Sequence, residues 1–270
     1  MAASTAVSSS ICRPPRELPA GRIGWSGRTA ARHSKRVRYY YAEHQAAYRQ
    51  LEREGLTQWN DLFGESWTFD DFPNRAFLES VLDRLPTSGD VLEYGCGTGP
   101  AACFLAARGF RVDAIDLIPE AIALARAFAR ERGVSVNFGV QDVCAMPVGS
   151  KQYDVILDSY CLQSIVTDPD RASVLTAVRD RLKPNGHYVL STAMYDAARV
   201  YDGDFRYDAT TGICYERTIA PADDAVQLDN TWYLPHRRHL RPEALRAELE
   251  RAGLDVVSQR GGDVVATRPG

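Results

Sequence analysis

The chain has 270 residues, 45% apolar and 25% charged, with a formal net charge of −3, which is enough for one large α/β domain with a generous core. It holds no run of about 18 apolar residues, which excludes a membrane-spanning helix. Residues 1–42 carry eight Lys/Arg against one acid, Glu17, leaving 24 Lys/Arg against 34 Asp/Glu in the remainder, a balance poorly suited to gripping a nucleic-acid backbone.

Residues 1–36 are rich in Ala, Ser, Arg, Pro and Gly and lack any helical or strand period, so they read as a disordered leader. The same Arg- and Ser-rich, acid-poor composition is that of an organelle transit peptide, without a clean amphipathic helix to support it. The folded part is expected over 37–270 and begins with helices over 37–86. Tyr41, His44, Tyr48 and Leu51 share one helix face, and a second helix runs from Pro73 to Leu85. Val91–Tyr94 is a strand, Pro100–Arg108 a helix closed by Gly109, and Arg111–Ile115 a second strand. A helix from Pro119 to Gly133 buries Ala121, Leu124, Ala125 and Phe128. Val134, Val136, Phe138 and Val140 alternate as a third strand, and Tyr153–Leu157 is a continuous apolar fourth. A helix with Leu175, Val178 and Leu182 leads through the turn signal Lys183-Pro184-Asn185-Gly186 into a fifth strand, His187–Ser191.

Residues 195–240 form an insert after that strand. It is rich in aromatics (Tyr195, Tyr201, Phe205, Tyr207, Tyr215, Trp232 and Tyr233). Phe205–Asp208 and Ile213–Thr218 form a hairpin in it, and the insert is expected to cap a small pocket. Pro242–Ala252 is a helix, and Leu254–Val257 and Val264–Ala266 are the last strands. The alternation predicts an α/β fold with a doubly wound, mostly parallel, seven-stranded sheet. Such sheets bind ligands beyond the carboxyl ends of their strands.

The first strand runs into VLEYGCGTGP, Val91 to Pro100. Gly95, Gly97 and Gly99 give GxGxG, a turn in which a ligand can lie against bare backbone. The dinucleotide fingerprint GxGxxG fails because Pro100 holds its third glycine position, and GxxxxGK[ST] is absent.

The loop resembles motif I of the class I, Rossmann-like, S-adenosylmethionine-dependent methyltransferases, and the resemblance covers roughly Val91 to Thr192. It implies S-adenosyl-L-methionine as cofactor, held by Glu93, Gly95, Cys96, Gly97 and Gly99. Asp116, with Leu117 beside it, would accept hydrogen bonds from the ribose hydroxyls. Asp142 and Val143 would meet the adenine, and Asp158 and Ser159 the methionine tail.

Methyl transfer from a sulfonium needs alignment more than a catalytic cluster, because proximity supplies much of the barrier reduction. DSYC at Asp158–Cys161 is neither the [ND]PP[YFW] of amino-group enzymes nor the Pro-Cys of carbon-5 enzymes. Ser191-Thr192-Ala193-Met194 lacks the Asp-Asn pair of the magnesium-dependent catechol type. The expected acceptor is therefore the nitrogen or oxygen of a small molecule, without metal, nucleic acid or membrane. A peptide side chain, or a fold that binds cofactor without turnover, are the alternatives. Tyr160, His44 and His236 are the catalytic candidates, and Tyr41, His44, Tyr160, Gln163, His236 and Arg237 the substrate-binding ones. His236 and His239 lie three apart in an extended segment and should face opposite ways. The six cysteines show no CxxC pair, as expected of reduced thiols in a cytoplasmic protein. Oligomeric state has no sequence signature.

Overall fold

The computed structural model describes residues 39–270 apart from 65–67, 148, 150, 202 and 220–223; the leader expected over 1–36 lies outside the described residues. Strands β1 (Asp90–Tyr94), β2 (Arg111–Asp116), β3 (Asn137–Val140), β4 (Tyr153–Ser159) and β5 (Leu182–Ser191) run parallel, and β10 (Asp255–Arg260) and β11 (Asp263–Thr267) close one edge antiparallel. The order is β10-β11-β5-β4-β1-β2-β3. Chain order reverses between β1 and β4, and the crevice beyond their carboxyl ends is the switch point where such sheets bind ligands.

Alternation along the strands gives the sheet two apolar faces. Val91, Val112, Val155 and Val189 pack on one side against helices α2 (Arg75–Val81), α3 (Pro100–Ala106) and α4 (Pro119–Glu131). Leu92, Ile156, Tyr188 and Leu190 pack on the other against α5 (Asp168–Arg181) and α6 (Pro242–Arg251). Both faces are covered, as a doubly wound sheet requires. A separate apolar cluster of Tyr48, Leu51, Ile118 and Ala121 docks the first helix, α1 (Tyr41–Glu54), onto α4.

Several boundaries differ from expectation. The second helix is only Arg75–Val81, continued by a tighter turn over Leu82–Arg84. In α4 the buried residues are Ala121, Ile122, Ala125 and Ala129, while Leu124 and Phe128 sit at the margin. Lys183–Gly186 belongs to β5 and does not precede it, the chain making its local bend through Asn185 at φ 61°. The insert does carry the expected hairpin, β6 (Phe205–Asp208) with β7 (Ile213–Thr218), but adds β8 (Val226–Leu228) and β9 (Thr231–Arg238) in the order β6-β7-β9-β8. Among the described residues, no helix is long and apolar enough to cross a membrane.

Candidate active site

The loops that leave β1, β2, β3 and β4 line a cleft at the switch point. Tyr40, His44 and Tyr48, with Gln58, Trp59, Asn60 and Arg237 of β9, complete its lining. Its empty space, open mouth included, is about 1290 Å³.

The three loop glycines all have positive φ (62°, 55° and 81°) but do different work. A Cβ on Gly95 would stand 2.3 Å from the Cys161 sulfur, so this glycine lets the loops after β1 and β4 meet. A Cβ on Gly97 would stand 2.8 Å from the Tyr48 hydroxyl, inside the cleft. A Cβ on Gly99 would press on the Phe138 ring at 3.0 Å and on Ala125 at 3.3 Å. Gly99 therefore seats the start of α3 against β3 and α4 and, unlike Gly95 and Gly97, does not line the cleft. Cys96 does line the cleft.

Asp116 ties two of these loops together. Its Oδ2 accepts the Gly97 N–H at 2.9 Å and its Oδ1 accepts the Ile118 N–H at 2.9 Å. Burial pushes its carboxyl up to about 6, against the pull of those backbone donors. Each carboxylate oxygen can accept more than one donor, so Asp116 retains capacity toward the cleft, where Leu117 lies beside it. Asp142 also lines the cleft and caps a short turn, its Oδ1 accepting the Cys144 N–H at 2.9 Å, with Val143 buried next to it.

Glu93 is 1% exposed and faces the cleft from β1. Burial raises its carboxyl to about 8, although a hydrogen bond with Ser159 and the Ala102 N–H favour the charged form. The Ser159 hydroxyl is in turn held by Asn74 Nδ2 at 3.0 Å. Glu93 Oε2 has no hydrogen-bond partner among the described residues. A buried carboxylate oxygen without a donor is costly unless a ligand supplies one.

Of the Asp158–Ser159 pair expected at the methionine tail, Ser159 lines the cleft and Asp158 does not. Its carboxylate turns away from the cleft, accepting the Tyr94 hydroxyl at 2.5 Å, the Cys161 N–H at 2.7 Å and the Leu162 N–H at 3.0 Å. The Tyr94 and Tyr188 hydroxyls lie 2.6 Å apart beneath it. Burial raises its carboxyl to about 7. Asp158 shapes the loop that presents Ser159, Tyr160 and Cys161, with Tyr160 held at φ 65°.

The acceptor candidates divide. His44, Tyr160, Gln163 and Arg237 line the cleft, whereas Tyr41 and His236 do not. Tyr41 packs against the α1–α4 cluster, and its neighbour Tyr40 takes the cleft position. His236 Nε2 lies 3.2 Å from Glu43 Oε1, and the same carboxylate accepts from Arg237 Nη2 at 3.0 Å. Burial opposes the Glu43 charge, yet Arg237 and His236 hold its carboxyl well below the usual range. His44 packs against Trp59 with the rings tilted by 55° and their centroids 4.8 Å apart, and its ring centroid lies 5.5 Å from that of Tyr40. Burial, aided by the Arg237 charge, pushes its imidazole down to about 3.

His239 turns to Arg199 and Tyr201, partners separate from those of His236. The insert's tyrosines stack on one another, Tyr195 and Tyr201 each on Tyr207, rather than lining the cleft. No group of three His, Cys, Asp or Glu with metal-holding potential occurs among the described residues. Sequence reasoning missed Tyr40, Trp59, Asn74 and the pairing role of Glu43. For Tyr48 the only sequence signal is its place on the helix face shared with Tyr41, His44 and Leu51.

Residues 91–186 match the family model described as a methyltransferase domain. A ubiquinone biosynthesis O-methyltransferase of Xanthomonas axonopodis pv. citri is 37% identical over 123 residues, which cover 44% of this chain and 49% of that protein. The enzyme of the same name from Xylella fastidiosa (strain 9a5c) is 29% identical over 190 residues, 70% of each chain. The match thus spans about half the length of the first relative. A methyltransferase structure from Clostridium acetobutylicum superimposes with a TM-score of 0.58 at 16% identity, covering 83% of this chain and 99% of the other, and shows the shared fold.

Proposed function

Residues 91–186 match a methyltransferase-domain family model, and on that premise we propose that this chain is an S-adenosylmethionine-dependent methyltransferase acting on nitrogen or oxygen of a small-molecule acceptor. The observation that carries the reading is Glu93, a buried carboxyl with one unpartnered oxygen on the cleft wall. It suits the amino group of an amino-acid tail. The bare backbone at Gly97 gives that tail room, Asp116 has capacity for ribose hydroxyls, and Asp142 with Val143 borders the space left for the base. When bound, the cofactor supplies an electrophilic methyl group on a sulfonium. The chain's own part is to hold the acceptor in line behind the loop after β1, exclude water with Tyr40, Tyr48 and Trp59, and take up a proton.

The names of the two relatives favour oxygen among the two accepting atoms. Tyr40, Trp59 and Arg237 line one cleft with the glycine loop, which favours a small molecule over an extended peptide. Calorimetric titration with adenosylhomocysteine, followed by release of that product over pooled phenols, amines and amino acids, tests the reading. Binding with turnover supports it. Binding without turnover on any pool would instead favour a cofactor-binding fold, and no binding would overturn it.

A further inference from the structure

His44 and Tyr48 lie four apart on α1, so they project from one helix face about 6 Å apart along the axis. Tyr48 reaches the glycine loop, where its hydroxyl covers Gly97. His44 is one turn further toward the helix start, beside Trp59, Tyr40 and Arg237. The two residues therefore mark two ends of one cleft, a cofactor end under Tyr48 and an acceptor end under His44.

His44 has a feature that the fold itself does not use. Its Nε2 is buried and makes no hydrogen bond among the described residues, although the side chain lines the cleft. In the Nδ1–H tautomer that nitrogen offers one lone pair, and a ligand O–H would satisfy it. Resting on the reading of the cleft as a methyltransferase site, we propose that His44 receives the proton of the methyl acceptor and that the acceptor presents an aromatic hydroxyl.

The surroundings select this class. Trp59 and Tyr40 supply flat apolar walls of the kind that hold an aromatic ring. Arg237, 3% exposed, puts a guanidinium at this end, which disfavours an ammonium but not a hydroxyl. The charged groups facing His44 are Arg237 and His236 from β9 and Glu43 from its own helix. Glu43 pins both β9 residues, and so fixes the first turn of α1 and the direction of the imidazole.

The step balances without a further reagent. The hydroxyl oxygen forms a bond to the methyl carbon while the carbon–sulfur bond breaks, its electron pair passing to sulfur. The O–H bond breaks, its pair stays on oxygen, and the proton goes to His44 Nε2. The products are an aryl methyl ether, a thioether and an imidazolium, which later yields its proton to water. A weak base suffices, because the oxygen becomes strongly acidic as it gains the methyl group. The imidazole is held near pKa 3 by burial and Arg237, so it is proton-free and ready at neutral pH.

The test compares 4-nitrophenol with 4-nitroanisole, which has the same ring but no proton to give, on protein saturated with adenosylhomocysteine. Saturation is itself the first arm: if adenosylhomocysteine fails to bind, the methyltransferase reading falls, whatever His44 does. On the loaded protein the phenol should bind about tenfold more tightly than the anisole, the worth of one hydrogen bond. His44→Phe, which keeps a ring between Trp59 and Tyr40, should lose that preference and leave anisole binding unchanged. In wild-type protein labelled with ¹⁵N-histidine, which contains five histidines, a single imidazole nitrogen should shift with the phenol and not with the anisole. This needs no variant to fold, and His44→Phe then assigns the signal. Equal binding of the two probes to wild type, no binding of either, or a preference that survives in His44→Phe would each overturn the proposal.

Discussion

The Tyr48 hydroxyl stands 2.8 Å from the point that a Cβ on Gly97 would occupy. One residue from the first helix thus covers the middle glycine of the loop that resembles motif I. Gly97→Val meets two obstacles, the side chain of Tyr48 and a φ of 55° that a branched residue rarely adopts. The variant should bind no adenosylhomocysteine and lose ~1–3 kcal/mol of stability to strain. Tyr48→Phe leaves the backbone alone and should cost at most ~1.5 kcal/mol of affinity, the upper range for one neutral hydrogen bond. Calorimetry and thermal melting on both variants check this pair; wild-type affinity in Gly97→Val would remove the cofactor from this loop.

Glu93 sets a proton count. Burial raises its carboxyl to about 8 in the free protein, so at pH 7 it is mostly protonated. A cationic amino group at Oε2 would favour the carboxylate and lower that value. Binding of S-adenosylmethionine at pH 7 should then release close to one proton, with affinity rising as pH climbs toward 8 and falling above about 9 as the ligand's own amino group loses its charge. Titrations in buffers of differing ionisation enthalpy measure the release. Glu93→Gln should bind more weakly and release none; an unchanged proton count in that variant would refute the assignment.

Asp116→Ala removes both a ligand acceptor and the brace between Gly97 and Ile118. Affinity for adenosylhomocysteine should fall by ~1.5–3 kcal/mol, as for hydrogen bonds to a charged group. Asp116→Asn keeps an oxygen for one backbone donor and should recover more stability than affinity. A dissociation constant unchanged in both variants would show that the ribose lies elsewhere.

Glu43→Ala leaves the buried guanidinium of Arg237 without its carboxylate, though the His236 carbonyl still accepts from it at 2.8 Å. Glu43 is itself about one-third open, with a side-chain exposure of 35%. The loss should therefore be ~1–3 kcal/mol, below the full cost of stripping a buried pair. Hydrogen exchange should rise in the first turn of α1 while the β1 and β4 amides stay protected. Equal exchange in α1 would mean that the Leu51 cluster alone fixes the helix.

The parts of the fold legible in the sequence were those with a local period. Val91 to Tyr94, the glycines after it and the Phe205–Thr218 hairpin each announce themselves within about ten residues. β9 did not, because Pro235 and the run His236-Arg237-Arg238 break every strand signal. The structure accommodates the proline with a register shift where β7 passes from Cys214 to Tyr215. Asp158 illustrates the limit of reading a site from position. An acid at the end of a strand can face ligand or core, and here Tyr94, sixty-four residues away, turns it inward. The unpartnered atoms of Glu93 and His44 are tertiary facts that no spacing encodes.

The Glu43–Arg237 contact joins side chains 194 positions apart, and five of the seven strands of the main sheet are built from the chain between them. On the ribosome, the acceptor end therefore waits for β9 to emerge, long after the glycine loop can fold. For protein engineering, acceptor choice is not portable in one piece. A chimera that takes the insert from another chain without the matching start of α1 would bring Arg237's counterpart to a helix that lacks its carboxylate, leaving a competent cofactor loop beside an acceptor chamber that cannot latch shut.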